Sequence, residues 1–255
     1  MTGQPIVPPW AESAAREYWD SVGGWPHPSP DLARTVAMTL PLDVITLSSL
    51  TVARVERWLV QRGVLFPFSC ADRPLHGLLL VQGGAGLVFL DGRDDERERR
   101  FSLAHEIAHF LRHYRAPRNR VLNVFGPELL EVLDGVRKPT AEERISGALI
   151  GVPFGPDLHL IEREVAGEID RKSTWDAEDE ADALAVELLA PAGEVLGRIA
   201  TLPITGRAYL ERQIDAVGLL REEFGLPDRI AGAYARHLMA RTGQGPSVFE
   251  EWGLR

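Results

Sequence analysis

Residues 101–110 read F-S-L-A-H-E-I-A-H-F, and two of them, His105 and His109, lie four residues apart. On an α-helix this spacing places both imidazoles on one face, one above the other, where they can bind a single metal ion. Glu106 directly follows the first histidine and lies one step round the helix, which suits a base acting on a metal-bound water molecule. The spacing therefore predicts a hydrolytic metal centre.

The alternative is that His105, Glu106 and His109 are polar residues on an ordinary exposed helix. The flanking residues argue against this alternative, because most of them are apolar and predict a buried helix. Buried imidazoles and a buried carboxylate need polar partners, and a metal cation would serve all three. The apolar flanking residues are Leu103, Ala104, Ile107, Ala108, Phe110 and Leu111.

A catalytic zinc ion usually has three protein ligands and one open position. Cys70 is the only cysteine, so a cysteine-built site is excluded and the third ligand must be His, Asp or Glu. Glu178 is the preferred candidate, and Glu180 is the alternative ligand on another face of the same predicted helix. Asp182 lies four residues after Glu178 and could accept the outer N–H of a ligand histidine.

Three further residues are weighed for the site. His113 continues the four-residue spacing, but it lies about 12 Å along the helix from His105, too far to share one ion. We interpret it as a polar residue at the helix end. Tyr234 and His237 could stabilise an oxyanion, although a simple surface or core role is favoured for both.

The helices that must position these residues are predicted from apolar periodicity and from capping and breaking residues. Ser48 or Ser49 is expected to cap the second helix, Pro117 to close the motif helix and Pro191 to stop the Glu178 helix. The predicted ranges are 11–19, 50–62, 95–114, 127–134, 140–150, 177–190, 206–224 and 227–242.

Strands are predicted at 64–68, 75–82 and 86–91, and a tight turn at Gly83-Gly84 joins the last two into a hairpin. A short segment at 157–164 receives no type. The strand at 86–91 is either a site where extended substrate backbone could pair or an internal strand without a free edge.

Composition limits the classes of function. The 255 residues are 45% hydrophobic and 25% charged with a net charge of -9, which argues against direct nucleic-acid binding through a broad basic surface. One cysteine permits no internal disulfide and fits a reducing cytoplasm. No apolar stretch is long enough to cross a membrane, and the N-terminus does not look like a secretory signal.

Two segments resemble the ImmA/IrrE family of zinc metallopeptidases. Residues 99–109 read R-R-F-S-L-A-H-E-I-A-H, against a family pattern R-R-F-[TS]-L-A-H-E-x-x-H. Residues 178–191 read E-D-E-A-D-A-L-A-V-E-L-L-A-P, against E-x-E-A-[ND]-x-F-A-x-x-L-L-M-P. Leu184 stands here for the family's Phe, and Ala190 for its Met.

The resemblance implies that His105, His109 and Glu178 ligate one Zn²⁺ and that Glu106 is the catalytic base. Two histidines and a carboxylate also accept Mn²⁺. The resemblance also implies an intracellular protein whose substrate is a helix-turn-helix repressor of the XRE type. The expected fold is α+β and mostly helical, with a zincin-like core and a small mixed or antiparallel sheet packed on the motif helix.

The expected organisation is an N-terminal extension at 1–45, a metallopeptidase domain at 46–242 and a C-terminal tail at 243–255. An insert at about 115–175 lengthens the usual family interval between the histidines and the third ligand. If the insert seals the cleft, the chain would instead be a catalytically silent metal-binding sensor or a protein-binding regulator. A purely structural zinc site is disfavoured, because only three protein ligands are visible beside an intact Glu106.

Overall fold

The computed structural model describes residues 7–25, 31–66, 68, 70–141, 143, 157–162, 171–202 and 208–246. The chain divides into two compact units, one of residues 32–177 and the other of residues 1–31 together with 178–255. The domain boundaries expected from the sequence stay a prediction.

A four-stranded mixed sheet organises the unit of residues 32–177. Its strand order is β1-β3-β2-β4; β1 runs parallel to β3, and the other neighbours are antiparallel. The predicted class, α+β and mostly helical with a small mixed sheet, is confirmed. The strands are β1 (Leu42–Leu47), β2 (Leu75–Gln82), β3 (Ala85–Asp91) and β4 (Asp157–Glu162).

The predicted hairpin at Gly83-Gly84 joins β2 to β3. Gln82 pairs with Ala85 across a two-residue turn in which both glycines have positive φ, 62° for Gly83 and 83° for Gly84. Such turns match the twist of the flanking strands, and other residues adopt two successive positive φ angles only with strain. The glycine pair thus fixes the register of the hairpin.

Two strand predictions need correction. β3 pairs with β1 on one side and with β2 on the other, so the idea that substrate adds to β3 is wrong because this strand has no free edge. Residues 64–66 form no strand; residue 67 of the predicted 64–68 strand lies outside the described residues. Instead, the side chains of Phe66 and Phe68 pack against the core beside β2 and β3.

Helix α2 (Leu32–Thr39) precedes β1, and helix α3 (Val52–Val60) follows it. The predicted cap of α3 is wrong: Thr51, not Ser48 or Ser49, accepts a hydrogen bond of 3.3 Å from the Arg54 N–H. Asp72 accepts a second one, at 2.9 Å, from Ala53. The apolar face of α3 is part of a buried core cluster. The cluster consists of Leu50, Val52, Val55, Leu59, Leu75, Leu78, Leu80 and Phe89.

The motif helix α4 (Glu96–His109) does not end before Pro117. It passes into a π-helical turn (Phe110–Arg115) and then into α5 (Ala116–Phe125), in whose first turn Pro117 lies. Proline lacks an N–H and its ring crowds the preceding turn, so it is tolerated where hydrogen bonding is already irregular. The wider π-helical turn lets the chain stay helical through this proline.

A satellite cluster follows α5. A short 3₁₀ turn (Pro127–Leu129) and α6 (Leu130–Leu133) occupy the predicted 127–134 helix and bury Leu129, Val132 and Leu133 beside Val121. Within the predicted 140–150 helix, residues 142 and 144–150 lie outside the described residues; the segment predicted at 157–164 contains strand β4.

Helices make up the described part of the other unit. Four begin and end within it: α1 (Pro9–Ser21), α8 (Ala192–Ile199), α9 (Tyr209–Glu222) and α10 (Asp228–Arg241). The longest, α7 (Arg171–Leu189), contains Glu178 and ends two residues before Pro191, as predicted. Trp19 makes an edge contact with Trp25, which stacks on Phe224. Of the helices that the structure describes, none is long and apolar enough to cross a membrane.

Candidate metal centre

Helix α4 begins at a well-defined cap. The Asp95 carboxylate accepts hydrogen bonds of 2.9 Å from the Arg97 N–H and 3.0 Å from the Glu98 N–H. These bonds satisfy two of the amide groups that have no partner within a helix, and a negative charge is favoured at this end of the helix dipole. Asp95 therefore sets where the helix starts, ten residues before His105.

The motif lies in a completely buried stretch of α4. Residues 101–109 are all buried, and the exposed fractions of His105, Glu106 and His109 are 3%, 0% and 1%. The helix packs on β2, β3 and β4. The expectation of a buried motif helix packed on a small sheet is confirmed. The three polar side chains therefore lie where bulk water cannot solvate them, a cost that requires polar or metal partners.

The two motif histidines face each other. The distance between His105 Nε2 and His109 Nε2 is 2.9 Å, and the ring centroids are 4.6 Å apart at an interplanar angle of 63°. A neutral imidazole that binds a metal uses the nitrogen lone pair that carries no proton. Two Nε2 atoms directed into one small space therefore form two-thirds of a three-ligand site.

Glu178 joins the two histidines in a group that could hold a metal ion. One ligand atom from each of His105, His109 and Glu178 lies within 4.8 Å of the others. The donor types, two imidazoles and one carboxylate, fit a catalytic zinc site with an open position. Among the described residues, the alternative ligand Glu180 does not belong to this group.

The outer nitrogen of His109 has a partner that sequence reasoning missed. His113 Nδ1 lies 3.0 Å from His109 Nδ1. The sequence-based interpretation of His113 as a polar residue at the helix end is incomplete, and its four-residue spacing from His109 is the signal for this contact. Asp182, predicted to accept the outer N–H of a ligand histidine, is half-buried on α7; that role stays a prediction.

Tyr234, considered as an oxyanion partner, has a core role. Its buried hydroxyl lies 2.5 Å from Glu187 Oε1 and 3.1 Å from the carbonyl oxygen of Ala190, and the Ala192 N–H donates to Glu187 Oε2 at 3.1 Å. Burial raises the pKa of Glu187 to about 7, even though the hydrogen bonds from Tyr234 and Ala192 lower it. Burial likewise raises the pKa of Tyr234 well above its usual value.

His237, the other oxyanion candidate, lines a cavity of about 390 Å³ in the same helical unit, together with Glu12, Arg16 and Arg241. Burial lowers the pKa of His237, and so does the nearby positive charge of Arg241, while Glu12 raises it. The balance favours a neutral imidazole.

Part of the chain matches a known protein family. Residues 64–131 match the family model of peptidase family M78, described as the IrrE N-terminal-like domain. No curated protein and no solved structure gives a significant match. The resemblance to the ImmA/IrrE family is confirmed over this segment, and it indicates a metallopeptidase-type function. The segment includes the H-E-x-x-H helix and ends before Glu178, and the zincin-like character of the core stays a prediction.

Proposed function

We propose that this protein is a metal-dependent endopeptidase. The observation that carries the proposal is the pair of buried histidines whose Nε2 atoms lie 2.9 Å apart, with Glu106 buried next to His105 on the same helix. This arrangement occurs within the segment that matches a peptidase family. In the proposed centre, His105, His109 and Glu178 bind one Zn²⁺, with Mn²⁺ as the alternative for the same donors.

The bound metal would supply Lewis acidity, which makes water a nucleophile near neutral pH and polarises the scissile carbonyl group. Glu106 would take the proton of the attacking water molecule and later deliver it to the departing amine. Glu106 is buried and directly follows the ligand candidate His105 on the same helix. The histidines orient the centre, and Glu106 moves the proton.

The test is the Glu106→Gln variant, with Glu98→Gln as its control. Glu98 is an exposed glutamate in the first turn of the same helix. Each zinc-loaded protein is incubated with a library of peptides derived from a whole proteome, and new N-termini are counted by mass spectrometry. Because general-base catalysis contributes roughly 10²–10⁴-fold, we expect Glu106→Gln to bind zinc but to produce almost no new termini.

We expect wild type and Glu98→Gln to produce the same set of termini with one shared sequence preference. If zinc-loaded wild type produces no more termini than Glu106→Gln, the peptidase proposal is wrong. The alternative, a catalytically silent metal-binding sensor or protein-binding regulator, would then remain.

We further propose that the substrate is a helix-turn-helix repressor of the XRE type inside the cell, so that cleavage regulates transcription. Two observations support this part: the family resemblance and a single cysteine in 255 residues, which fits a reducing compartment. The test incubates the zinc-loaded protein with the XRE-type repressor encoded nearest to its own gene. Cleavage by wild type but not by Glu106→Gln is expected, and an intact repressor would overturn the substrate assignment.

A further inference from the structure

Next to the candidate metal centre, one imidazole contacts another on the side away from the ligand atoms. His113 Nδ1 lies 3.0 Å from His109 Nδ1, with ring centroids 5.0 Å apart and an interplanar angle of 46°. His109 Nε2, the other nitrogen of the same ring, lies 2.9 Å from His105 Nε2. His109 therefore has a nitrogen neighbour at each end of its ring.

The position of the N–H proton on each imidazole ring decides which of the two histidines donates the hydrogen bond and which accepts it. A neutral imidazole carries one N–H and one lone pair, and its two nitrogens exchange these roles between tautomers. If His109 Nε2 keeps its lone pair for a metal, the proton must be on Nδ1. His113 Nδ1 must then accept this N–H, and the proton of His113 is on its own Nε2. With the protons in these positions, the hydrogen bond holds His109 in the tautomer that can bind metal.

The backbone fixes where His113 lies. It belongs to the π-helical turn (Phe110–Arg115), and the next residue, Tyr114, accepts a 2.8 Å hydrogen bond from the Gly84 N–H through its hydroxyl oxygen. The Tyr114 ring also contacts the Phe110 ring, with centroids 5.5 Å apart. The turn is thus attached to the β2–β3 hairpin, which restrains His113 beside His109. Single π-helical turns inside α-helices are rare and occur frequently at functional sites.

We propose that His113 is a positioning residue, which holds His109 in the orientation and tautomer that bind metal. The inference rests on the proposed metal centre and adds one residue to it. The partner is a neutral imidazole rather than the more usual carboxylate. A neutral acceptor gives less electron density to the ligand ring than a carboxylate does, so the bound metal would keep more of its Lewis acidity.

The test compares metal affinity in three full-length variants with that of wild type. His113→Phe keeps an aromatic ring but removes the acceptor. His113→Asn restores an acceptor oxygen close to the position of the lost Nδ1. Arg115→Leu is the control, because it removes an exposed polar side chain from the same π-helical turn. Affinity for Zn²⁺ is measured by competition with a chromophoric chelator, and the geometry of the centre is followed by the visible spectrum of Co²⁺.

We expect His113→Phe to lose roughly 10–100-fold in Zn²⁺ affinity, as is typical when the partner of a ligand histidine is removed. We expect His113→Asn to recover most of that loss with a Co²⁺ spectrum like that of wild type, and Arg115→Leu to match wild type. If His113→Phe binds Zn²⁺ as tightly as wild type, the inference is overturned and the proposed function stays intact. The same conclusion follows if His113→Phe and His113→Asn lose Zn²⁺ affinity equally. A wild-type protein that binds no metal would remove both.

A second measurement does not depend on how the variants fold. In zinc-loaded wild type labelled with ¹⁵N-histidine, a hydrogen bond between His109 and His113 gives a ¹⁵N–¹⁵N coupling between the two Nδ1 atoms. We expect this coupling, with the proton on His109. A proton on His113 Nδ1 instead, or two uncoupled nitrogens, would contradict the proposed role.

Discussion

The Tyr234 hydroxyl lies 2.5 Å from Glu187 Oε1 and 3.1 Å from the carbonyl oxygen of Ala190. All three residues belong to the unit of residues 1–31 and 178–255. A hydroxyl group has one proton and cannot donate fully to both oxygens. If Glu187 is protonated, its carboxyl group donates to Tyr234 and Tyr234 donates to Ala190. If Glu187 is ionised, the Tyr234 proton is shared and a buried charge remains. The protonated form therefore satisfies every polar atom of this contact.

Stability should consequently depend on the protonation of Glu187. Its carboxyl group titrates near 4.5 in the unfolded chain and, because of burial, near a pKa of about 7 in the folded protein. As pH rises, the unfolded state loses this proton first, so the free energy of unfolding falls between these two values and is level above them. The shift corresponds to a loss of about 3 kcal/mol.

The variant Glu187→Gln tests this dependence. The Gln amide can donate to Tyr234 and accept from Ala192 at any pH, so we expect its stability to lack this loss. The free energy of unfolding is measured by urea denaturation from pH 4.5 to pH 8. Over this range, the value for the variant minus the value for wild type should rise by about 3 kcal/mol. The exposed α9 residue Glu222 provides the control, Glu222→Gln. Parallel curves for wild type and Glu187→Gln would disprove the buried-proton account.

The cap of α4 gives a prediction about the helix that carries the motif. Asp95→Ala removes the acceptor for the N–H groups of Arg97 and Glu98. We expect a loss of about 1 kcal/mol in the free energy of unfolding, measured by urea denaturation. Glu96→Ala, at an exposed position of the same turn, should lose only a few tenths of a kcal/mol. Equal losses in the two variants would show that Asp95 does not act as a cap.

The turn between β3 and α4 contains an acid-sensitive ion pair. Asp91 is buried and lies 2.8 Å from the half-exposed guanidinium of Arg93. Burial alone would raise the pKa of Asp91, but hydrogen bonds from the Arg93 side chain and backbone lower it to about 2, from an ordinary value of 3.8. The stabilisation is therefore present above the ordinary pKa and is lost as pH falls toward the folded-state pKa.

We expect Asp91→Asn to be less stable than wild type by about 1–2 kcal/mol at pH 7, allowing for solvent screening at Arg93. At a pH near 2 this difference should be smaller, because wild-type Asp91 is then partly protonated. Urea denaturation at the two pH values measures both differences. A difference that stays constant or grows toward low pH would contradict the assigned ion pair.

The parts of the fold that follow from local patterns could be predicted from the sequence. The Gly83-Gly84 turn needs two positive φ angles, a requirement visible in the residue types alone. The burial of α4 followed from its apolar flanks, and the end of α7 followed from Pro191. In each case the cause lies within a few residues of its effect.

Features that depend on distant or irregular contacts could not be predicted. Pro117 normally ends a helix, and only the π-helical turn before it lets the chain continue. Strand β1 obtains its hydrogen bonds from β3, more than forty residues away, so its own residues signal it weakly. Glu187 looked like one more acidic residue on α7; only its contact with Tyr234 on α10 reveals a buried acid.

The measurement that tests the central claim most directly is metal content per chain, by elemental analysis of wild type, Glu178→Ala and Glu180→Ala purified identically. With His105, His109 and Glu178 as ligands, wild type should contain about one zinc ion per chain, and the ion should be retained in Glu180→Ala but clearly lost in Glu178→Ala. A wild type without metal, or a full complement of metal in Glu178→Ala, would contradict the proposed centre.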